Sequence, residues 1–246
     1  MQQEQINKSV IHDFYRRAVA QGDIAFAELV IADNYIQHSP ALKPGKAGLL
    51  EALHLMKQMP KPPATSTPFL RLIAEGDYVV TNLCFGWGGI QKVVVDIFRF
   101  ENGKVAEHWD AVQDQPEKTL NGNAIMDGPM PIDDPALTTR NKETAQETYQ
   151  RIFIDHQLHL LPNFVLPDLI QHKPDIADGR NGLSNYLSQK ATSVSIDRIL
   201  LVIAEGDFVV IQSEGTSEGK PAQFYEIFRL SEGKLAEQWG VYRLTQ

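Results

Sequence analysis

The sequence predicts an α+β chain of two tandem cone-shaped domains, each with N-terminal helices packed on a curved antiparallel sheet. Two observations show the duplication. LIAEGDYVV at 72–80 recurs 130 positions later as VIAEGDFVV, and DIFRFENGKVAEHW at 96–109 returns at the same offset as EIFRLSEGKLAEQW. YIQHSP at 35–40 returns as LIQHKP at 169–174, 134 positions on, so loop lengths differ while the order is kept. A third observation gives the class: in each copy helical periodicity comes first and strand patterns come last. The stretch between the copies is rich in Pro, Gly, Asn and Asp and reads as a linker. This sets the domains at 1–120 and 138–246, with 121–137 between them.

Taken in order, Ile6, Val10, Phe14 and Ala18 recur at helical spacing before Gly22-Asp23 interrupts. The stretch to Ile31 reads as a second helix, and Tyr35 to His38 as a short extended piece stopped by Pro40. Leu49, Leu50, Leu53 and Met56 mark one face of a third helix, which Pro60, Pro62 and Pro63 end. From Phe69 onward FLRLIAE, YVVTNLCFGW, KVVVDIFRF and VAEHWDAVQ read as strands separated by Gly-containing turns. GWGG at 86–89 reads as a bulge or turn rather than a phosphate-cradling loop, and no serine nucleophile elbow is present.

Composition narrows the function classes. With 43% hydrophobic and 22% charged residues, the chain has the balance of a soluble globular protein. No apolar run approaches the roughly 18 to 20 residues a membrane helix needs, and the polar start MQQEQINKSV lacks a signal core, so a cytoplasmic protein is expected. A formal charge of −8, with Lys and Arg scattered singly, argues against nucleic acid or an anionic membrane as partner. Cys84 is the single cysteine, which removes internal disulfides and thiolate-rich metal sites, and it reads as a buried structural thiol.

The hairpin ENGK decides which side chains cooperate. The second copy has Ser231-Glu232-Gly233 there, and Glu is a poor choice for positive φ, so a three-residue loop with a bulge is expected in both copies. That register sets Asp96 opposite His108, Phe98 opposite Ala106 and Val94 opposite Asp110. Strand alternation then puts Asp96, Phe98, His108 and Asp110 on one face, and Ile97, Arg99, Val105, Glu107 and Trp109 on the other. The Trp109 face, repeated by Ile227, Leu235 and Trp239, is expected to join the two sheets back to back as an internal pseudo-dimer, with further self-association open. Arg99–Glu107 and Arg229–Glu237 read as structural ion pairs.

The order of helices, YIQHSP, DIFRFENGKVAEHWDAVQ and the trailing NGNAIMDGP resembles the SnoaL-like family of the nuclear transport factor 2-like fold. The resemblance covers the first half and, more weakly, the second. It implies a polyketide-cyclase type of chemistry: intramolecular aldol condensation without metal or nucleotide cofactor, with an aspartate near the last Trp as acid/base. The matching position is Asp110, with Asp96 as its neighbour on the preceding strand. Cyclases often carry a histidine at the Asp96 position, where this chain has a carboxylate.

The residues themselves support that chemistry. Removing a proton α to a carbonyl needs a base whose pKa is drawn toward neutrality, and paired carboxylates in an apolar pocket supply such a group. His108 would serve the developing enolate oxygen, and His38 would reach the same pocket from its rim. His38 and Asp96 have counterparts in His172 and Glu226, which equally suits a structural role. His108 and Asp110 occur once only, since the second copy has Gln238 and Gly240. His38, Asp96, His108 and Asp110 are all ligand types, but none has the spacing of a hydrolytic zinc motif, so no metal or other cofactor is expected. The expected partner is a small apolar or carbonyl-containing ligand. The alternative is a non-catalytic binding or scaffold protein using the same cavity, and the second domain is expected to carry a degenerate site.

Overall fold

The computed structural model describes residues 2–59, 69–87, 89–190 and 193–245. By its contacts the chain divides into two compact units, Met1–Gly89 with Val94–Asp110, and Ile90–Val93 with Ala111–Gln246. In the first, helix α1 (Gln2–Asp13) runs into a π-helical turn at Phe14–Ala20. Its buried face is Asn7, Ile11, Phe14 and Ala18, while Ile6 is half exposed. Successive four-residue steps overshoot a 3.6-residue turn by about 40° each, so Ile6 rotates out of the core while Val10 packs at its edge. Asp23 caps α2 (Ile24–Val30) by accepting from Phe26 N–H at 3.1 Å.

The chain continues directly from α2 into β1 (Ile31–Gln37), then α3 (Gly45–Gln58) and the strands β2 (Phe69–Glu75), β3 (Tyr78–Trp87), β4 (Ile90–Glu101) and β5 (Lys104–Asp114). Pro60, Pro62 and Pro63, expected to end α3, lie outside the described residues, as does Gly88 of GWGG. The sheet order is β1-β5-β4-β3-β2, and β1 runs parallel to β5. The sheet is therefore mixed rather than antiparallel. The connection from β1 to β5 passes through a helix and three strands, long enough to return the chain in the same direction. Ile11, Phe14, Tyr35, Leu49, Leu53, Val79 and Phe98 form the core between helices and sheet. Cys84 is half buried rather than buried.

The second unit repeats the plan. Helix α4 (Thr138–Thr148) again ends in a π-helical turn, Tyr149–Ile154, and is followed by α5 (Leu161–Phe164), β6 (Val165–Gln171) and α6 (Gly179–Lys190). Strands β7 (Val194–Glu205), β8 (Phe208–Ser217), β9 (Lys220–Ser231) and β10 (Lys234–Leu244) complete a sheet of order β6-β10-β9-β8-β7. Residues of the predicted linker are tied to this unit. Asn121 Nδ2 donates to the carbonyls of Lys173 and Ile176 at 2.8 and 2.9 Å, and the Trp239 indole donates to Asp127 O at 2.9 Å.

The hairpins correct the predicted loop. In both copies the turn has two residues with left-handed backbone, Asn102 and Gly103 (φ 52° and 76°) and Glu232 and Gly233 (φ 53° and 71°). Holding a Glu there costs roughly 1–2 kcal/mol, but this turn matches the twist of the flanking strands. The predicted bulge is present two residues further on: Leu235 pairs with Leu230, whereas Glu237 pairs with Arg229. The extra residue shifts the register once more, so Gln238 faces Phe228 and Gly240 faces Glu226. The partners expected from the sequence are displaced by two residues, and the face is unchanged because two is the strand period. In the first copy, accordingly, the Phe98 ring stacks on His108 with centroids 4.6 Å apart.

Candidate functional site

The site in the first unit is built from β1, β3, β4, β5 and the π-turn. Asp96 and His108 are both buried, and His108 Nε2 lies 2.9 Å from Asp96 Oδ1. The other carboxylate oxygen, Oδ2, accepts from the Tyr15 hydroxyl at 2.6 Å and from Thr81 Oγ1 at 3.0 Å. Gln37 Oε1 accepts the Ser39 backbone N–H at 3.1 Å, which fixes the orientation of its amide. That same oxygen lies 3.0 Å from His108 Nδ1, so Nδ1 must carry a hydrogen. One further proton then lies along the Nε2–Oδ1 contact, held by either the imidazole or the carboxyl. Asp110, half buried on the same strand face as His108, accepts from Ser39 Oγ at 3.0 Å.

Two tyrosines, Tyr35 buried and Tyr15 partly buried, surround this group. Burial, then the charge of Asp96, holds the Tyr15 phenol well above its ordinary pKa of 10.0. Burial, then Asp110 and Asp96, does the same to Tyr35. Both phenols stay protonated. Tyr35 Oη accepts from Gln37 Nε2 at 3.1 Å, and among the described residues it donates to no acceptor.

His38 does not join them. Its Nε2 lies 2.8 Å from Glu107 Oε2, and its ring stacks on Trp109 at 4.5 Å and 4°. The reason is strand alternation: Gln37 and Ser39 face the site, so His38 between them faces the other side. Arg99 Nε donates to the same Glu107 at 2.6 Å, as the ion-pair reading anticipated. Burial raises the Glu107 carboxyl, but the hydrogen bonds from His38 and Arg99 outweigh it and hold the pKa below 4.5. Among the described residues no group of three or more His, Cys, Asp or Glu is placed to hold a metal ion.

Residues 11–108 match the SnoaL-like domain family. The first unit carries a SnoaL-like domain. No curated protein matches the chain. Among solved structures, an NTF-2 like protein of unknown function from Burkholderia xenovorans LB400 is 21% identical over 49% of this chain and 92% of its own, with a TM-score of 0.39. An NTF2-like protein of unknown function from Mesorhizobium loti is 18% identical over 44% and 93%, TM-score 0.38. An LEH-like epoxide hydrolase from M. tuberculosis is 14% identical over 43% and 84%, TM-score 0.36.

Asp96, His108 and Asp110 lie together on the face expected from the sequence, joined by Tyr15, Tyr35, Gln37, Ser39 and Thr81, which the sequence did not single out. The alternation of YIQHS was the available signal, since His38 and Ser39 cannot both face one side of a strand. Tyr15 carried no signal, because the π-turn sets its direction.

The second unit keeps one face and changes the other. His172 stacks on Trp239 at 4.7 Å and 5°, and its Nε2 lies 2.7 Å from Glu237, which also accepts from Arg229 at 2.9 Å. On the opposite face Lys173 stands where the first copy has Ser39, and its Nζ donates to Glu226 Oε1 at 2.6 Å. Burial works against the ammonium, but Glu226 outweighs it and holds the Lys173 pKa above 10.5. Glu226 Oε2 accepts from Gln238 Nε2 at 2.9 Å, and Gln238 Oε1 accepts from Gln171 Nε2 at 2.7 Å. Among the described residues, Gln171 Oε1 is thereby left buried without a hydrogen-bond partner. A Cβ on Gly240 would clash with Glu226 Oε2, so the longer acid at 226 requires the missing side chain at 240.

Proposed function

We propose that the SnoaL-like unit is a cofactor-independent acid–base enzyme that closes a small dicarbonyl compound by intramolecular aldol condensation. The observation that carries this reading is the grouping of Asp110 with the buried His108–Asp96 pair and with the Tyr35 hydroxyl, which among the described residues donates to no acceptor. Asp110 takes the proton α to one carbonyl, and the Tyr35 O–H donates to the enolate oxygen as charge develops there. The enolate carbon attacks the second carbonyl, and the resulting alkoxide recovers a proton, which regenerates the Asp110 carboxylate. His108 and Asp96 have their polar atoms engaged by Gln37, Tyr15, Thr81 and each other, so they act by holding a proton and fixing the strand face around Asp110.

That same saturation favours a second reading, a small-molecule binder without turnover. Incubation with 2,6-heptanedione separates the two. The enzyme reading expects 3-hydroxy-3-methylcyclohexanone, together with the 3-methylcyclohex-2-enone it gives on losing water, to form above the buffer rate with the native chain and at the buffer rate with Asp110→Asn. Formation at the buffer rate with both proteins would reject the aldol reading, and broadened diketone NMR signals in that case would support a binder.

A further inference from the structure

The second unit has lost the acid and base of the first, yet the corresponding face is not simply an apolar core. Lys173, Glu226 and Gln238 line a cleft with Tyr149, Tyr186 and Phe224, about 30 Å³ in volume and partly open to solvent. An adjoining cleft shares Lys173, Tyr186 and Phe224 and is bordered by Gly240. That adjoining cleft measures about 130 Å³, close to the roughly 150 Å³ of a cavity that takes a benzene ring. A lysine drawn inward onto a carboxylate that is itself only 4% exposed is a costly feature for a purely architectural domain. Apolar residues of similar volume usually serve stability as well or better.

We propose that this cleft is a second ligand site, selective for a small neutral one-ring compound carrying a hydroxyl group. The proposal stands apart from the aldol reading of the first unit. Lys173 Nζ has one hydrogen on Glu226 and two more to offer an oxygen, while Glu226 Oε1 can accept a hydrogen in return. A hydroxyl is the group that does both at once. A carboxylate is disfavoured, because Glu226 and Asp175 both border the space, and an ammonium is disfavoured by Lys173. Tyr186 and Phe224 supply faces for the ring. The three exchanges from the first copy fit this as a set. Ser39 becomes the lysine, Asp96 becomes the longer Glu226, and Asp110 becomes Gly240, which leaves room for that acid.

The test uses the full chain and ¹⁹F NMR titration with 4-fluorophenol, fluorobenzene and 4-fluorobenzoate. Native protein is expected to bind 4-fluorophenol at least fivefold more tightly than fluorobenzene, and Lys173→Met to remove that preference. Glu226→Gln is expected to move the other way for the anion, tightening 4-fluorobenzoate at least fivefold by removing the competing carboxylate. Opposite responses at one ion pair cannot come from general destabilisation. Equal binding of phenol and fluorobenzene, no binding of the phenol, unchanged preference in Lys173→Met, or no gain of benzoate in Glu226→Gln would each overturn the proposal.

Discussion

The two halves of the chain carry the same strands with opposite fates on their two faces. On one face His38, Arg99, Glu107 and Trp109 reappear as His172, Arg229, Glu237 and Trp239, with the same ring stack and the same two hydrogen bonds to the glutamate. On the other face Tyr35, Ser39, Thr81, Asp96, His108 and Asp110 have become Leu169, Lys173, Ile211, Glu226, Gln238 and Gly240. Strand alternation makes this possible, because neighbouring residues answer to different environments. Architecture and chemistry can then diverge independently along one strand.

The largest effect that would sharpen this comparison is at Asp110. Asp110→Asn is expected to lower 2,6-heptanedione cyclisation by about 10²–10⁴-fold, the usual worth of a general base. Its melting temperature should hardly move, since the amide can still accept from Ser39. Tyr35→Phe follows, with about 10²–10³-fold loss in kcat and little change in KM if the phenol serves the enolate only in the transition state. A larger effect on KM than on kcat would place Tyr35 in ground-state binding instead.

Stability should split the repeated His–Glu–Arg group by burial. Glu237 is 1% exposed and Glu107 is 17% exposed at the side chain. Glu237→Gln is expected to cost about 3 kcal/mol by chemical denaturation, in the range for breaking a buried pair. Glu107→Gln should cost about 1 kcal/mol or less. The pH dependence has a definite sign. Burial raises the Glu237 carboxyl, but the bonds from His172 and Arg229 outweigh it, and the folded pKa lies below 4.5. A depressed carboxyl contributes stability above its unfolded pKa and loses it as pH falls through the folded value. Thermal melts should therefore drop on acidification below about pH 4.5, and less steeply in Glu237→Gln. Equal costs for the two glutamates would contradict the assignment by burial.

Much of this was legible in the sequence. The repeat, the order of helices and strands, and the shared face of Asp96, His108 and Asp110 follow from motif spacing and the strand period of two. The face came out right although the turn did not, because the turn and the bulge downstream together displace the register by two residues, a full strand period. His38 was misplaced because its neighbours Gln37 and Ser39, which hold the site face, carry no chemistry conspicuous in a sequence. Tyr15 was invisible, since a π-turn alters which side of a helix each residue presents. The Lys173–Glu226 pair escaped notice because a single lysine in a polar stretch ordinarily points to solvent.

Under the proposed function, proton transfer belongs to the first unit alone. The most direct measurement is α-proton exchange of acetophenone in deuterated buffer, followed by ¹H NMR, for the native chain and for His108→Gln combined with Asp110→Gly. That double variant writes the second copy's residues into the first site and leaves the second unit untouched. Catalysed exchange is expected with the native chain and exchange at the buffer rate with the variant, whose circular dichroism remains native. Exchange persisting near the native rate in the folded double variant would contradict that assignment.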